Sequence, residues 1–359
     1  MIIYYVLFCF ILFNFLLVTK GKLKETQALV CISIVLIFVA GLRMPGIDRD
    51  SVNYIDFFNS FGSPAEYFTD LNKNIFYEPL YYLIPSTIRY TFDLSTYWTF
   101  LVIAIIAITL KIYAIKKLTD LALLSVLVYF GHFFILHEMT QIRAGVASAI
   151  VLLCIVQIEH KRFLYFIGLI LLGTLFHFSI VIFIPFFFLS AEELNKKLYL
   201  ALLYFPYIMY ALKVNILTIL DQLHLGVISN KLQLYNDLFE KGDDSEINVF
   251  NVLFIIQLII CTVFIIKSEV LYQENRYALL LIKIYAISAS FFVLFSAIPI
   301  IAFRLSELLQ IVQIILLPFL LYLLRPHYVP LLAVIAFALM ILTFDLFYVG
   351  LLKPYQLNF

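Results

Sequence analysis

The chain has 359 residues, of which 64% are hydrophobic and 13% charged, with a formal net charge of +1. A mean hydropathy of +1.04 leaves too little polar surface to clothe a water-soluble domain, so the chain reads as a polytopic membrane protein. No basic run is long enough for a nucleic-acid footprint, which excludes that class of partner.

In chain order, residues 2–18 are apolar but carry neither a positive n-region nor a small-residue cleavage site. They are therefore read as a membrane helix and not as a signal peptide. Further apolar runs lie at 26–42, 96–116, 121–136, 142–158, 198–213, 249–266, 278–302, 304–324 and 328–350. Each is near the roughly 17–25 residues that a crossing helix needs. Segment 163–189 is long for one helix and short for two, with "FHFS" (176–179) at its middle. It is read as two short helices meeting near His177, either a re-entrant pair or two thin spans. The fold expected is all-α, one integral membrane domain over residues 1–359, with about ten to twelve transmembrane helices. Cys9, Cys31, Cys154 and Cys261 stand alone inside apolar runs, so they give neither a metal site nor a disulfide framework.

Lysine and arginine set the orientation. "KGKLK" (20–24), "KIYAIKK" (111–117), "EHKR" (159–162), "ELNKK" (193–197), Lys267 with Arg276, and "RPH" (325–327) alternate as cytoplasmic turns. They do so if the N-terminus lies outside and 163–189 returns to the side it left. The same alternation keeps 43–94 outside, including "EPLYYLIPSTIRY", whose Pro79, Pro85 and Arg89 suit an interfacial helix. The two long outer loops, 43–94 and 214–248, hold seven and six of the 23 acidic residues. No internal repeat relates the two halves, which counts against a transporter built from inverted repeats.

On this topology Arg43, Arg143 and Arg304 all stand at outer helix ends, against the positive-inside tendency, and so call for anionic partners. Singly, each is accounted for by a local salt bridge or by snorkelling, and Arg304 has Glu307 one turn away. Together they suit a lipid pyrophosphate, because guanidinium grips phosphate oxygens bidentately. The small residues of "RAGVASA" (143–149) read first as helix packing. His177 reads either as a hydrogen-bonded structural residue or as the lining of a cavity at the helix break. His137 and Glu138 are placed at the outer mouth as pairs for Arg143, and Glu78 reads as a helix cap beside Pro79. The outer-loop aromatics, Tyr54 and Tyr81 among them, read as an interfacial belt or a sugar platform.

The order of these elements resembles the EpsG/Wzy-type polysaccharide polymerases. Arg43 precedes "GIDRDSVNYIDFF"; "EPLYY", "QIRAGVASAI" and "HFS" follow, covering roughly residues 40–190. The family's arginine, G-x-D element and tyrosine fall on Arg43, Gly46, Asp48 or Asp50, and Tyr54. Its glutamate, "IR" and histidine–x–serine fall on Glu78, Arg143, His177 and Ser179. The doubled aspartate of "DRD" departs from the pattern, as does Phe178 where proline is common. The resemblance implies a GT-C-like glycosyltransferase of the bacterial inner membrane. It would polymerise polyprenyl-pyrophosphate-linked oligosaccharide repeat units at the periplasmic face, for O-antigen, capsule or exopolysaccharide. Donor and acceptor are both lipid-linked, a flippase and a chain-length regulator are the expected partners, and no cofactor or metal is called for.

The chemistry assigns Arg43, Arg143 and Arg304 to the departing pyrophosphate. Asp48, Asp50, Glu78 and His177 are the candidates for the base, with a carboxylate favoured and His177 orienting. Tyr54 and Tyr81 are assigned to the sugar. A lipid-linked oligosaccharide flippase, a membrane acyltransferase using His177, and an O-antigen ligase, for which His224 in the second loop speaks, are the alternatives.

Overall fold

Helices that are apolar all round can touch only lipid or one another, and their backbones must be satisfied internally. In the computed structural model, which describes residues 1–69, 77–214 and 248–358, the described residues are accordingly helical, with two isolated β-bridges. Four helices are long and apolar enough to cross a membrane: Ile2–Thr19, Trp98–Leu118, Ile142–Glu159 and Tyr328–Val349. Two bent pairs raise the number to six, and five shorter apolar helices of 10–17 residues accompany them. The ten to twelve spans read from the sequence counted those shorter helices as crossings. The interior of the second outer loop, with His224, lies outside the described residues, as do residues 70–76 of the first.

The described residues form two compact units, Met1–Leu189 with Gln313–Phe359, and Ser190–Val312. In the first, Trp98–Leu118 packs against both Glu25–Gly41 and Ile142–Glu159. Ala122–Tyr129 continues as a π-helix over Phe130–Glu138 and is buried nearly throughout. The small residues after Arg143 pack as expected: a Cβ on Gly145 would stand 3.2 Å from the His137 carbonyl oxygen. In the second unit, Lys196–Ala211 and Pro299–Gln310 flank Ala278–Leu294. There Ser288 donates to the Ser306 carbonyl at 2.8 Å, and Lys283 donates to the Ser190 carbonyl at 2.6 Å.

Segment 163–189 is a hairpin. Phe163–Thr174 is α-helical, His177 is extended, and Phe178–Phe188 is a 3-10 helix containing Pro185. Ring contacts pair Phe163 with Phe187 at 5.0 Å and Phe166 with Phe183 at 6.2 Å, so the two arms run antiparallel and their far ends lie together. At the tip, Gly173 leaves room for Ile180, which an added Cβ would meet at 2.4 Å. Both readings of this segment, a re-entrant pair and two thin spans, share this antiparallel geometry.

One pairing had no counterpart in the sequence reading. Residues 352–358 run antiparallel along residues 42–48, with bridges between Asp48 and Leu352 and between Arg43 and Leu357. The amides of Met44 and Lys353 donate to the carbonyls of Gln356 at 2.8 Å and Ile47 at 2.7 Å, and that of Asn358 to Leu42 at 3.2 Å.

Gly131 meets the Tyr328–Phe344 helix at its closest approach, where a Cβ would lie 2.7 Å from the Ala338 carbonyl oxygen. Gly131→Ala should therefore destabilise the protein by about 1–3 kcal/mol. Gly168→Ala, which meets nothing within 4 Å inside the Phe163–Thr174 helix, should stabilise slightly, by up to about 1 kcal/mol. Thermal midpoints of the two variants in detergent test this; equal midpoints would contradict the packing described.

Candidate active site

The loop that follows the second helix folds around one aspartate. Gly46 adopts φ +90°, a conformation that L side chains rarely take, and this turns the chain so that Asp48 faces back. Asp48 Oδ1 accepts from the amides of Asp50 at 3.0 Å and Ser51 at 2.8 Å, at the start of the Ser51–Ser60 helix. Its Oδ2 accepts from Arg43 Nε at 3.1 Å. Arg43 is buried: its guanidinium lies 4.4 Å over the Phe100 ring and donates to the Ala40 carbonyl. The Tyr97 hydroxyl donates to the Arg43 carbonyl. Arg43 and Asp48 thus hold each other and the loop. Asp50 stands half-buried at the N-cap position of the helix.

The second constellation centres on Glu78. Pro79 at the first helical position makes Glu78 the N-cap of Pro79–Tyr90, yet its carboxylate makes no cap hydrogen bond. It points away instead. Arg143 Nη1 donates to Oε2 at 2.8 Å, and His177 Nδ1 meets Oε1 at 3.2 Å. The Leu80 amide donates to the Leu175 carbonyl at 2.9 Å, which docks this helix start on the hairpin tip and brings Glu78 to His177. Arg143 stacks 4.5 Å over Tyr81, whose ring lies 6.0 Å from that of Tyr54. Burial alone would raise the Glu78 carboxyl, but the His177 hydrogen bond and the Arg143 charge outweigh it and pull it down to about 2. Burial pushes the Tyr54 phenol up to about 12 despite the nearby guanidinium, so it keeps its proton. Exposure is graded: the Glu78 side chain is 7% exposed, His177 18% and Arg143 31%. An ionised carboxylate therefore holds a guanidinium and an imidazole, both of them more exposed than the carboxylate itself.

Of the residues singled out in the sequence, Glu78, Arg143, His177, Tyr54 and Tyr81 come together. Arg43 and Asp48 form a neighbouring buried pair, linked to them through the Tyr54–Phe100 ring contact at 6.5 Å. Arg304 is carried by Pro299–Gln310 in the second unit. Glu138 pairs with Lys111 at 2.6 Å, both side chains being 0% exposed, and not with Arg143 as expected. Lys111 accordingly belongs to the helix interior and not to the cytoplasmic turn with which it was counted. His137 Nδ1 lies 3.1 Å from Ser148 Oγ. The pair His132 and Asp345 lies at 2.6 Å; charged side chains within apolar helices are its only sequence signal. Among the described residues, no three His, Cys, Asp or Glu side chains converge as metal ligands do.

A model of the EpsG family matches residues 27–357, nearly the whole length. The chain belongs to the EpsG family. This agrees with the resemblance carried by the Arg43, Glu78, Arg143 and His177 motifs and extends it through the C-terminal half. The EpsG-family chain is also 28% identical over 196 residues to the amylovoran biosynthesis protein AmsC of Erwinia amylovora, covering 52% of each chain. It thus spans about half the length of that curated relative. No solved structure matches it.

Two expectations follow from the geometry. Breaking one side of the buried Arg43–Asp48 pair by Asp48→Asn should cost about 3–5 kcal/mol, read as a loss of thermal midpoint or of folded yield. For Glu78 the folded pKa lies below the usual 4.5, so its stabilisation is complete above the unfolded value and vanishes as pH falls through about 2. Glu78→Gln should lower the midpoint by the same amount at pH 7 and pH 6, with the gap closing only in the acid range below the ordinary carboxyl pKa. A gap already closed by pH 6 would contradict this electrostatic picture.

Proposed function

We propose that this EpsG-family protein takes part in exopolysaccharide synthesis. Its role is that of a glycosyltransferase that polymerises polyprenyl-pyrophosphate-linked oligosaccharide repeat units at the periplasmic face of the bacterial inner membrane. The observation that carries this reading is Glu78, held at once by Arg143 at 2.8 Å and His177 at 3.2 Å. The name of the amylovoran biosynthesis relative supports the polysaccharide class.

In this reading the acceptor hydroxyl oxygen attacks the anomeric carbon of the donor as the bond to pyrophosphate breaks. The bonding pair leaves on the pyrophosphate oxygen, and the outer edge of Arg143 stabilises the growing charge. Arg304 is proposed as a second pyrophosphate ligand. The hydroxyl proton goes to His177 Nε2, because Nδ1 is turned to Glu78, as in carboxylate-oriented imidazole bases. This differs from the carboxylate base expected from the sequence. In its support, Glu78 is committed to two partners and held at about 2, and both oxygens of Asp48 already accept hydrogen bonds. Asp50 is the remaining carboxylate candidate. Arg43 and Asp48 shape the loop, and Tyr54 and Tyr81 seat Arg143 and offer rings to the sugar.

The test is in vitro polymerisation of the lipid-linked repeat unit by purified variants. Arg143→Ala should lower the rate by about 10² or more, with poor rescue by Arg143→Lys, which lacks the bidentate fork. His177→Gln should abolish turnover and keep donor binding, whereas Asp50→Asn should remain active. Loss of turnover in Asp50→Asn with an active His177→Gln would move the base to Asp50. Sidedness is tested separately in a cysteine-free background: Ser63→Cys should react with an impermeant thiol reagent in intact cells, and Lys22→Cys should not. The reverse pattern would end the periplasmic reading.

A further inference from the structure

The carboxyl-terminal stretch is wired into the loop that carries the Arg43–Asp48 pair. Arg49, the residue between the two aspartates of "DRD", donates to the carbonyl of Val349 at the end of the last helix. Three residues on, Leu352 bridges Asp48 itself, and the ladder continues to Asn358. The helix end that launches this strand is pinned in turn. Asp345 Oδ2 meets His132 Nδ1 at 2.6 Å, and the Asp345 carbonyl accepts from the Leu351 amide at 3.0 Å. Tyr4 and Tyr355 close the strand from behind, with hydroxyls donating to the Lys353 carbonyl at 3.3 Å and the Val39 carbonyl at 3.1 Å.

We propose that Arg49, Asp345 and His132 are positioning residues that act through the closing strand 352–358 to set the active-site arginine Arg143. The route is short and each link is a contact. The strand holds the Asp48 loop, and Asp48 Oδ1 accepts from the Ser51 amide at the start of the Ser51–Ser60 helix. That helix carries Tyr54, whose ring packs 6.0 Å from that of Tyr81, the ring over which Arg143 stacks at 4.5 Å. A strand that loosens would leave the chain folded but tilt the Tyr54 helix, and the guanidinium would lose the seat that aims its free edge. A small misplacement of this kind reduces turnover more than ground-state binding. The inference rests on the glycosyltransferase reading for what turnover means, but not for the coupling itself.

Full-length protein in lipid nanodiscs, supplied with the lipid-linked repeat unit accumulated by a polymerase-deficient host, provides the assay. Lys353→Pro deletes the one amide that Ile47 accepts from, and Lys353→Ala keeps it. We expect Lys353→Pro, per folded molecule, to lose at least about tenfold in kcat with donor KM nearly unchanged, and Lys353→Ala to match the wild type. Arg49→Ala and Asp345→Asn should show the same split, and Arg49→Lys should recover most of the rate, since any cationic donor can reach a carbonyl. If Lys353→Pro fails to fold, the exposed Arg49 series decides. Wild-type kcat in both Lys353→Pro and Arg49→Ala overturns the proposal, as does a rate loss that appears equally in KM. If the wild type itself forms no polymer, the glycosyltransferase reading fails. Hydrogen exchange then judges the strand: faster exchange of amides 48–60 in Lys353→Pro than in Lys353→Ala upholds the coupling, and equal exchange refutes it.

Discussion

One carboxylate organises the first unit. Glu78 joins residues that lie 65 and 99 positions further along the chain, one on a membrane helix and one at the tip of a broken hairpin. Burying an ion costs several kcal/mol unless its partners repay the lost hydration, and here two partners approach from different elements. The same carboxylate fixes which edge of Arg143 and which nitrogen of His177 remain available.

Another buried pair does the corresponding work between two helices. Lys111 and Glu138 lie wholly out of solvent, with the ammonium 5.1 Å over the Tyr129 ring. Such a pair contributes little net stability but makes any other alignment of those helices very costly. Because Glu138 ends the π-helix that turns into Ile142–Glu159, the pair fixes where Arg143 leaves the turn. Gly145 against the His137 carbonyl and Ser148 against the His137 ring complete the junction. The π-register allows both His137 and Glu138 to face inward toward different helices.

The parts of this arrangement that are local were legible in the sequence. A 27-residue apolar run with histidine at its middle is too long for one helix, and the chain does break at His177. Proline after Glu78 marked a helix start, though not that the acid would turn from its own helix to Arg143. What could not be read was whether an arginine at a helix end faces a cavity or the core. Arg43 and Arg143 look alike in sequence, and only the tertiary setting buries one against Phe100 and leaves the other partly open. Lys111 was miscounted because basic residues near a helix end normally belong to the cytoplasmic turn; its partner is 27 residues away. The pairing of residues 42–48 with 352–358 joins segments some 300 residues apart and leaves no periodic trace.

The hairpin at 163–188 also sets a length scale. A helix of the size of Phe163–Thr174 reaches about 18 Å, short of the roughly 30 Å hydrocarbon thickness. On the proposed orientation, with both ends of the hairpin at the cytoplasmic side, His177 would stand below the outer headgroups and not among them. On the glycosyltransferase reading, the reacting bond would then have to come down to the imidazole. A sugar joined to a lipid stem would be delivered to that depth by its own anchor, whereas the midsection of a finished polymer has no such tether. Selection of chain ends over chain interiors would in that case be a matter of plumb depth, set by the number of turns in one short helix.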